Sequence, residues 1–239
     1  MSTLLLRLAG PMQAWGTQSR FTERDTGREP SKSGVVGVLC AALGRSRDET
    51  VDDLAGLRMG VRVDREGAVL TDYHTAGGTH RRGERYGVVR ADGSPGGTVV
   101  SRRHYLADAD FLVGLEGDDV ELLRGLERAL ARPVWPLFLG RKAFVPGVPL
   151  PLPRGGVRDG MGLVEALVDE PWPRLDLAVP PPHRHPTRLR LVLQTDAASG
   201  AEVRADQPVG AAFRDRRFAP RHVETRFCDL GAEVPVREE

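Results

Sequence analysis

Chemistry-capable residues in this chain fall in short polar clusters set between apolar runs. Met12, Gln13 and Trp15 stand between Gly10 and Gly16. A thioether, an amide and an indole at that spacing suit a single-strand RNA pocket, with Met12 or Trp15 stacked on a base and Gln13 reading its edge. The same residues suit a turn whose tryptophan packs into a core. Pro30-Ser31-Lys32-Ser33-Gly34 precedes the apolar run Val35–Leu43. A helix opening there presents free amide groups, two serine hydroxyls and the Lys32 ammonium, a phosphate site without hydrolysis. The plainer reading is a capped helix with a solvated lysine. A P-loop is excluded, because its glycines would stand at 26 and 31, where the chain has Thr26 and Ser31.

Arg102-Arg103-His104-Tyr105 combines phosphate-binding guanidiniums with a stacking ring. His104 and Tyr105 also have the chemistry to act as acid or base on a ribose 2′-hydroxyl. Tyr73-His74-Thr75 carries the same two readings, and Gly140-Arg141-Lys142 is a compact cationic turn suited to phosphate. Binding and acid–base roles on RNA both stand open for these residues. His183-Arg184-His185 has no carboxylate or cysteine beside it, so no metal is expected, and no cofactor. Neither Gly-x-Ser-x-Gly nor His-Glu-x-x-His occurs.

The elements that must position these residues are read from pattern. Thr3–Leu8 predicts a strand, ended by Gly10-Pro11. The next apolar run predicts a helix capped by serine and stopped at Gly44, apolar almost all round and so buried. Arg58–Asp64 and Ala68–His74 predict two strands joined as a hairpin at Arg65-Glu66-Gly67. Ala76–Arg103 is glycine-rich and basic, and predicts a β-hairpin projecting from the core. Tyr105–Leu115 predicts a buried strand. Asp118 with Glu121 predicts a capping box before a helix through Leu130. A strand near Leu137 and strands at Gly162–Asp169 and Thr187–Thr195 complete the reading.

The expected fold is α+β: a ferredoxin-like or RNA-recognition-motif-like core over residues 1–150, with a thumb hairpin at about 76–104. Residues 151–239 are expected to form a smaller β-rich C-terminal subdomain.

Composition bounds the function. The 239 residues are 40% hydrophobic and 28% charged, which fits a globular protein. No run of apolar residues is long enough for a membrane helix, and residues 1–10 lack the pattern of a secretory signal. Cys40 and Cys228 are the only cysteines, which excludes a disulfide scaffold and fits a cytoplasmic protein. The net charge of +1 hides basic strips at Arg81–Arg103 and Phe213–Phe227 and an acidic stretch at Asp108–Glu121. Such a distribution suits contact with nucleic acid on part of the surface and with protein on the rest.

Five segments in order carry a family resemblance: Leu6–Gly16, Pro30–Gly37, Asp72–Thr75, Tyr105–Phe111 and Pro136–Lys142. Together they resemble the CasD-like subunits of type I-E CRISPR Cascade complexes, in the RAMP superfamily. The resemblance is strong over residues 3–150 and weak beyond. It implies a subunit that caps the 5′ handle of CRISPR RNA, beside the CasC backbone and the large CasA subunit. Target DNA would be met only through the complex. It also implies a binder, because another subunit cuts the precursor RNA. A related branch cuts RNA without metal using tyrosine, lysine and histidine; that triad is not recognisable here, and the alternative it implies is a metal-independent endoribonuclease using His74, His104 or Tyr105 with Lys32 or Lys142. The RNA-binding set expected is Met12, Gln13, Trp15, Lys32, Ser33, His74, Arg102, Arg103, Tyr105, Arg141 and Lys142.

Overall fold

The computed structural model describes residues 1–17, 22–77, 88, 96–173, 186–196 and 201–235. The order is β1 (Ser2–Ala9), β2 (Met12–Gln13), β3 (Glu23–Arg24), α1 (Lys32–Leu43), α2 (Asp52–Ala55), β4 (Arg58–Arg65), β5 (Ala68–Ala76) and β6 (Val99–Ala107). Then follow β7 (Asp110–Gly117), α3 (Val120–Ala131), β8 (Val157–Arg158), α4 (Leu163–Asp169), β9 (Arg188–Thr195), β10 (Glu202–Pro208), α5 (Ala212–Asp215) and β11 (Phe218–Asp229). Among the described residues the architecture is α+β with two sheets. The larger has seven strands in the order β10-β11-β9-β4-β7-β1-β8, every neighbouring pair antiparallel. The smaller has four: β6 pairs β5 along its length, and β2 and β3 along its other edge.

Alternation decides which side chains face which layer. On β1, Leu4, Leu6 and Leu8 join Val35, Val36 and Leu39 of α1 and Leu123, Leu126 and Leu130 of α3 in one core. Leu5 points the other way, with Leu112, Leu191 and Leu193, under Leu163 and Leu167 of α4. Each fully buried leucine contributes about 1.5–3 kcal/mol. Helix α1 is held as its sequence implies: the Ser31 hydroxyl accepts from Gly34 N, and Gly44 closes the C-terminus at φ 73°. Helix α3 is capped by Asp119, one residue later than expected, whose carboxylate accepts from Leu122 N at 2.9 Å.

Several expectations are corrected. β4 and β5 do not form a hairpin: β4 lies between β7 and β9 in the large sheet, while β5 pairs β6 in the small one. Arg65-Glu66-Gly67 therefore carries the chain from one sheet to the other. The strand expected at Tyr105–Leu115 is two strands, broken where Asp108 takes φ 55° and the chain returns to the large sheet. These two crossings pack together, since a Cβ on Gly67 (φ 69°) would lie 2.6 Å from the Ala107 carbonyl. No strand forms at Leu137, and the segment Gly162–Asp169 contains helix α4, with Leu163, Ala166 and Leu167 buried at helical spacing. In the segment expected as a smaller β-rich C-terminal subdomain, β9, β11 and β10 extend the large sheet beside β4, and β8 closes its other edge. Most of the basic strip at Arg81–Arg103 and all of His183–His185 lie outside the described residues. Among the described residues no helix is long and apolar enough to cross a membrane, and no cluster of His, Cys, Asp and Glu could hold a metal.

Candidate nucleic-acid interface

The small sheet gathers half of the expected site. Register pairs His74 with Ser101, Asp72 with Arg103 and Leu70 with Tyr105, so these share one face. Strand β3 lies parallel to β6 on its other side and sets Arg24 beside Arg103. A loop brings in Arg141. Leu139 N donates to Phe144 O and Ala14 N donates to Leu139 O, which pins the loop beneath the sheet. Gly140 makes that approach possible: at φ 90°, a Cβ there would fall 1.8 Å from the Ala14 carbonyl. Arg141 Nη2 then donates to the backbone carbonyls of His104 at 2.8 Å and Arg24 at 3.4 Å, with its guanidinium 5.4 Å from the Phe144 ring centroid. Tyr105 packs on the same ring at 5.7 Å between centroids. Lys142 is exposed on the turn closed by Phe144 N to Arg141 O.

Three guanidiniums, Arg24, Arg103 and Arg141, thus meet at one face. Burial and then the Arg24 charge lower the Arg103 pKa, while Asp72 opposes. Burial, then Arg103, then Arg24 lower that of Arg141. Repulsion among guanidiniums, with Arg141 held by backbone carbonyls and Arg103 by the Ser101 hydroxyl, is the arrangement an incoming phosphate relieves. Asp72 is the counter-charge in the structure, and His74 Nδ1 lies 3.0 Å from its Oδ2.

The rest of the expected set is elsewhere. Arg102 and His104 project from the opposite face, where His104 Nδ1 is 2.9 Å from Thr71 Oγ1 and its Nε2 is 3.6 Å from Glu23 Oε2. Trp15 is 1% exposed and Gln13 fully buried, so neither lines a base pocket. Gln13 Nε2 donates to the carbonyls of Leu8 and Ala109 at 3.0 and 2.8 Å, and its Oε1 accepts from Trp15 Nε1 at 3.1 Å. This buried network joins β1, β2 and the turn before β7. Met12 is half-buried and packs on the same core.

Lys32 is not a phosphate ligand. Its side chain is fully buried, with Nζ 2.9 Å from Gln194 Oε1. The amide end of α1 is occupied by protein: Asp206 Oδ2 accepts from Lys32 N at 2.8 Å, and Arg221 grips Asp206 through two bonds at 2.9 and 2.8 Å. Burial, with Arg221 adding to it against Asp206, lowers the Lys32 pKa to about 7. Ser33 is half-buried, its hydroxyl 3.4 Å from that of Ser31. Of the side chains proposed for RNA cleavage, His74 and Tyr105 share a face, with Lys142 on the turn after Arg141, and the others do not join them. His74 and His104 lie on opposite faces of the small sheet, and Lys32 is enclosed among residues of β9, β10 and β11.

Arg24 is the member that sequence reasoning missed. It lies in the polar stretch Thr17–Glu29, without periodicity or motif. Glu29, just beyond, is buried between Arg190 and Arg204; burial raises its pKa, but the two guanidiniums outweigh that and hold it low. The segment bearing Arg24 is thus tied to the C-terminal strands.

Residues 3–224 match the family described as "CRISPR-associated protein (Cas_Cas5)". The CRISPR system Cascade subunit CasD of Escherichia coli (strain K12) is 37% identical over 155 residues. That alignment spans 59% of this chain and 66% of the relative, just under two thirds of its length. A solved structure described as "Crystal structure of Cas protein" is 43% identical, with a TM-score of 0.75 and 98% of each chain covered. Another, described as "CRISPR RNA-guided surveillance complex", is 34% identical with a TM-score of 0.76, covering 98% of this chain and 95% of that one. With the family matched over nearly its whole length, the chain belongs to the Cas5 family of CRISPR-associated proteins.

Proposed function

We propose that this chain is a non-catalytic, CRISPR RNA-associated subunit of a cytoplasmic Cascade complex, and that it caps the 5′ handle of the RNA. The observation that carries the reading is the convergence of Arg24, Arg103 and Arg141 on one face of the small sheet, with Tyr105 and His74 beside them. These charged donors would hold phosphates, Arg141 pre-set by its backbone bonds, and specificity would come from splayed bases and shape. The strand order β8-β1-β7-β4 with helices α1 and α3 in its crossovers supports a ferredoxin-like core, and the β5–β6 ladder supports a thumb rooted at Ala68 and Ala107. Its partners would be the CasC backbone and the CasA large subunit, with target DNA reached through the assembly.

The test uses the full chain, alone and co-expressed with CasC- and CasA-type subunits. Each sample is incubated with labelled precursor CRISPR RNA in chelator, and binding and cutting are scored on one gel. Binding to the repeat-derived 5′ end without cutting, stronger with partners present, is expected. Cutting by the chain alone, lost in His74→Ala or His104→Ala, would overturn the reading in favour of a metal-independent endoribonuclease.

A further inference from the structure

Strand β5 is the outer strand of the small sheet. Its inner edge pairs with β6 from Ala68↔Ala107 to Ala76↔Val99, and no described residue pairs with its outer edge. Both faces are open, with Val69, Leu70 and Tyr73 48%, 45% and 68% exposed. An unpaired row of backbone donors and acceptors is a template for another strand. Edges meant to stay single usually carry charged side chains, above all lysine, or proline or a bulge. Ala68–Ala76 reads AVLTDYHTA: it has no lysine, proline or bulge, and Asp72 is its one carboxylate.

The segment is also self-complementary. With two copies antiparallel and centred on Tyr73, Asp72 faces the partner's His74, Thr71 faces the partner's Thr75, and Tyr73 faces the partner's Tyr73. Carboxylate on imidazole, hydroxyl on hydroxyl and ring on ring are each favourable cross-strand pairs. Centring on Asp72 would instead set two carboxylates side by side.

We propose that the free chain self-associates through the outer edge of β5, antiparallel and centred on Tyr73, joining two four-stranded sheets into one. The second copy is favoured as occupant by this charge complementarity. The association needs no RNA, so its failure and the failure of the RNA reading are separate results.

The test uses the full chain without RNA. Sedimentation equilibrium over a concentration series should show a mass rising toward twice the 26.1 kDa of one chain. Tyr73→Cys should give a disulfide-linked dimer under mild oxidation, because directly opposed residues lie about 4.5–5.5 Å apart at Cα, within disulfide reach. Background is low, since the native Cys40 and Cys228 are both buried. Thr71→Cys alone should stay uncrosslinked, whereas a mixture of Thr71→Cys and Thr75→Cys chains should link. A wild-type mass of 26.1 kDa throughout the series would overturn the proposal, as would Thr71→Cys linking as readily as Tyr73→Cys.

Discussion

Arg141 donates from Nη2 to the backbone carbonyl of His104 at 2.8 Å and so fastens the loop after Leu139 to strand β6. That bond holds the guanidinium beside Arg103 and Arg24. Arg141→Ala should therefore weaken RNA binding across sequences and reduce the salt slope of log K by roughly 0.7, the share of one single-strand phosphate contact. Filter binding over a salt series measures it. An unchanged slope would remove Arg141 from the phosphate site.

Lys32 makes stability depend on pH in a defined direction. Its folded pKa is about 7 against an ordinary 10.5. Below pH 7 the amine is charged in both states, and the cost of burying that charge is fully present. Above pH 7 the folded chain sheds the proton while the unfolded chain keeps it, so stability rises with pH toward 10.5. Lys32→Met removes the charge, and Gln194 Oε1 keeps a bond from Met59 N at 3.3 Å. The variant should be more stable than wild type at pH 6 by a few kcal/mol on the order-of-magnitude scale of such shifts, with the gap roughly halved by pH 9 and closing only toward pH 10.5. Urea melts at the two pH values decide it; a gap independent of pH would mean the amine does not titrate in this window.

Gln13 should behave as a core residue. Gln13→Leu leaves the carbonyls of Leu8 and Ala109 and the Trp15 N–H without their partner. Each buried group left unsatisfied costs about 1–3 kcal/mol, so the urea midpoint should fall clearly. The RNA salt slope of the folded variant should not move. A lowered slope with an unchanged midpoint would return Gln13 to the RNA surface.

Local features were legible in the amino-acid sequence. Ser31 as a cap and Gly44 as a stop depend only on their neighbours, and both stand as read. The cationic face was half legible: Arg103, Tyr105, His74 and Arg141 carry their chemistry in their types, while Arg24 joins them only through the parallel pairing of β3 with β6. Partner choice was not legible. Arg58–Asp64 and Ala68–His74 have the spacing of a hairpin, and nothing local says that β4 prefers β7 and β9. Lys32 fails for the same reason, because its burial is set by Gln194 and Asp206, 162 and 174 residues away. Trp15 and Gln13 look alike in a pocket or a core, since aromatic and amide side chains serve both.

The paired crossings at Gly67 and Asp108 have a mechanical consequence. They are the two roots of the β5–β6 ladder, and each is fixed by its own left-handed residue and by contact with the other. The contacts that fix both roots do not involve the segment between Ala76 and Val99, so the register of the large sheet beside them is set without it. The ladder is thus an attachment on a rigid mount, and the mount owes nothing to what it carries.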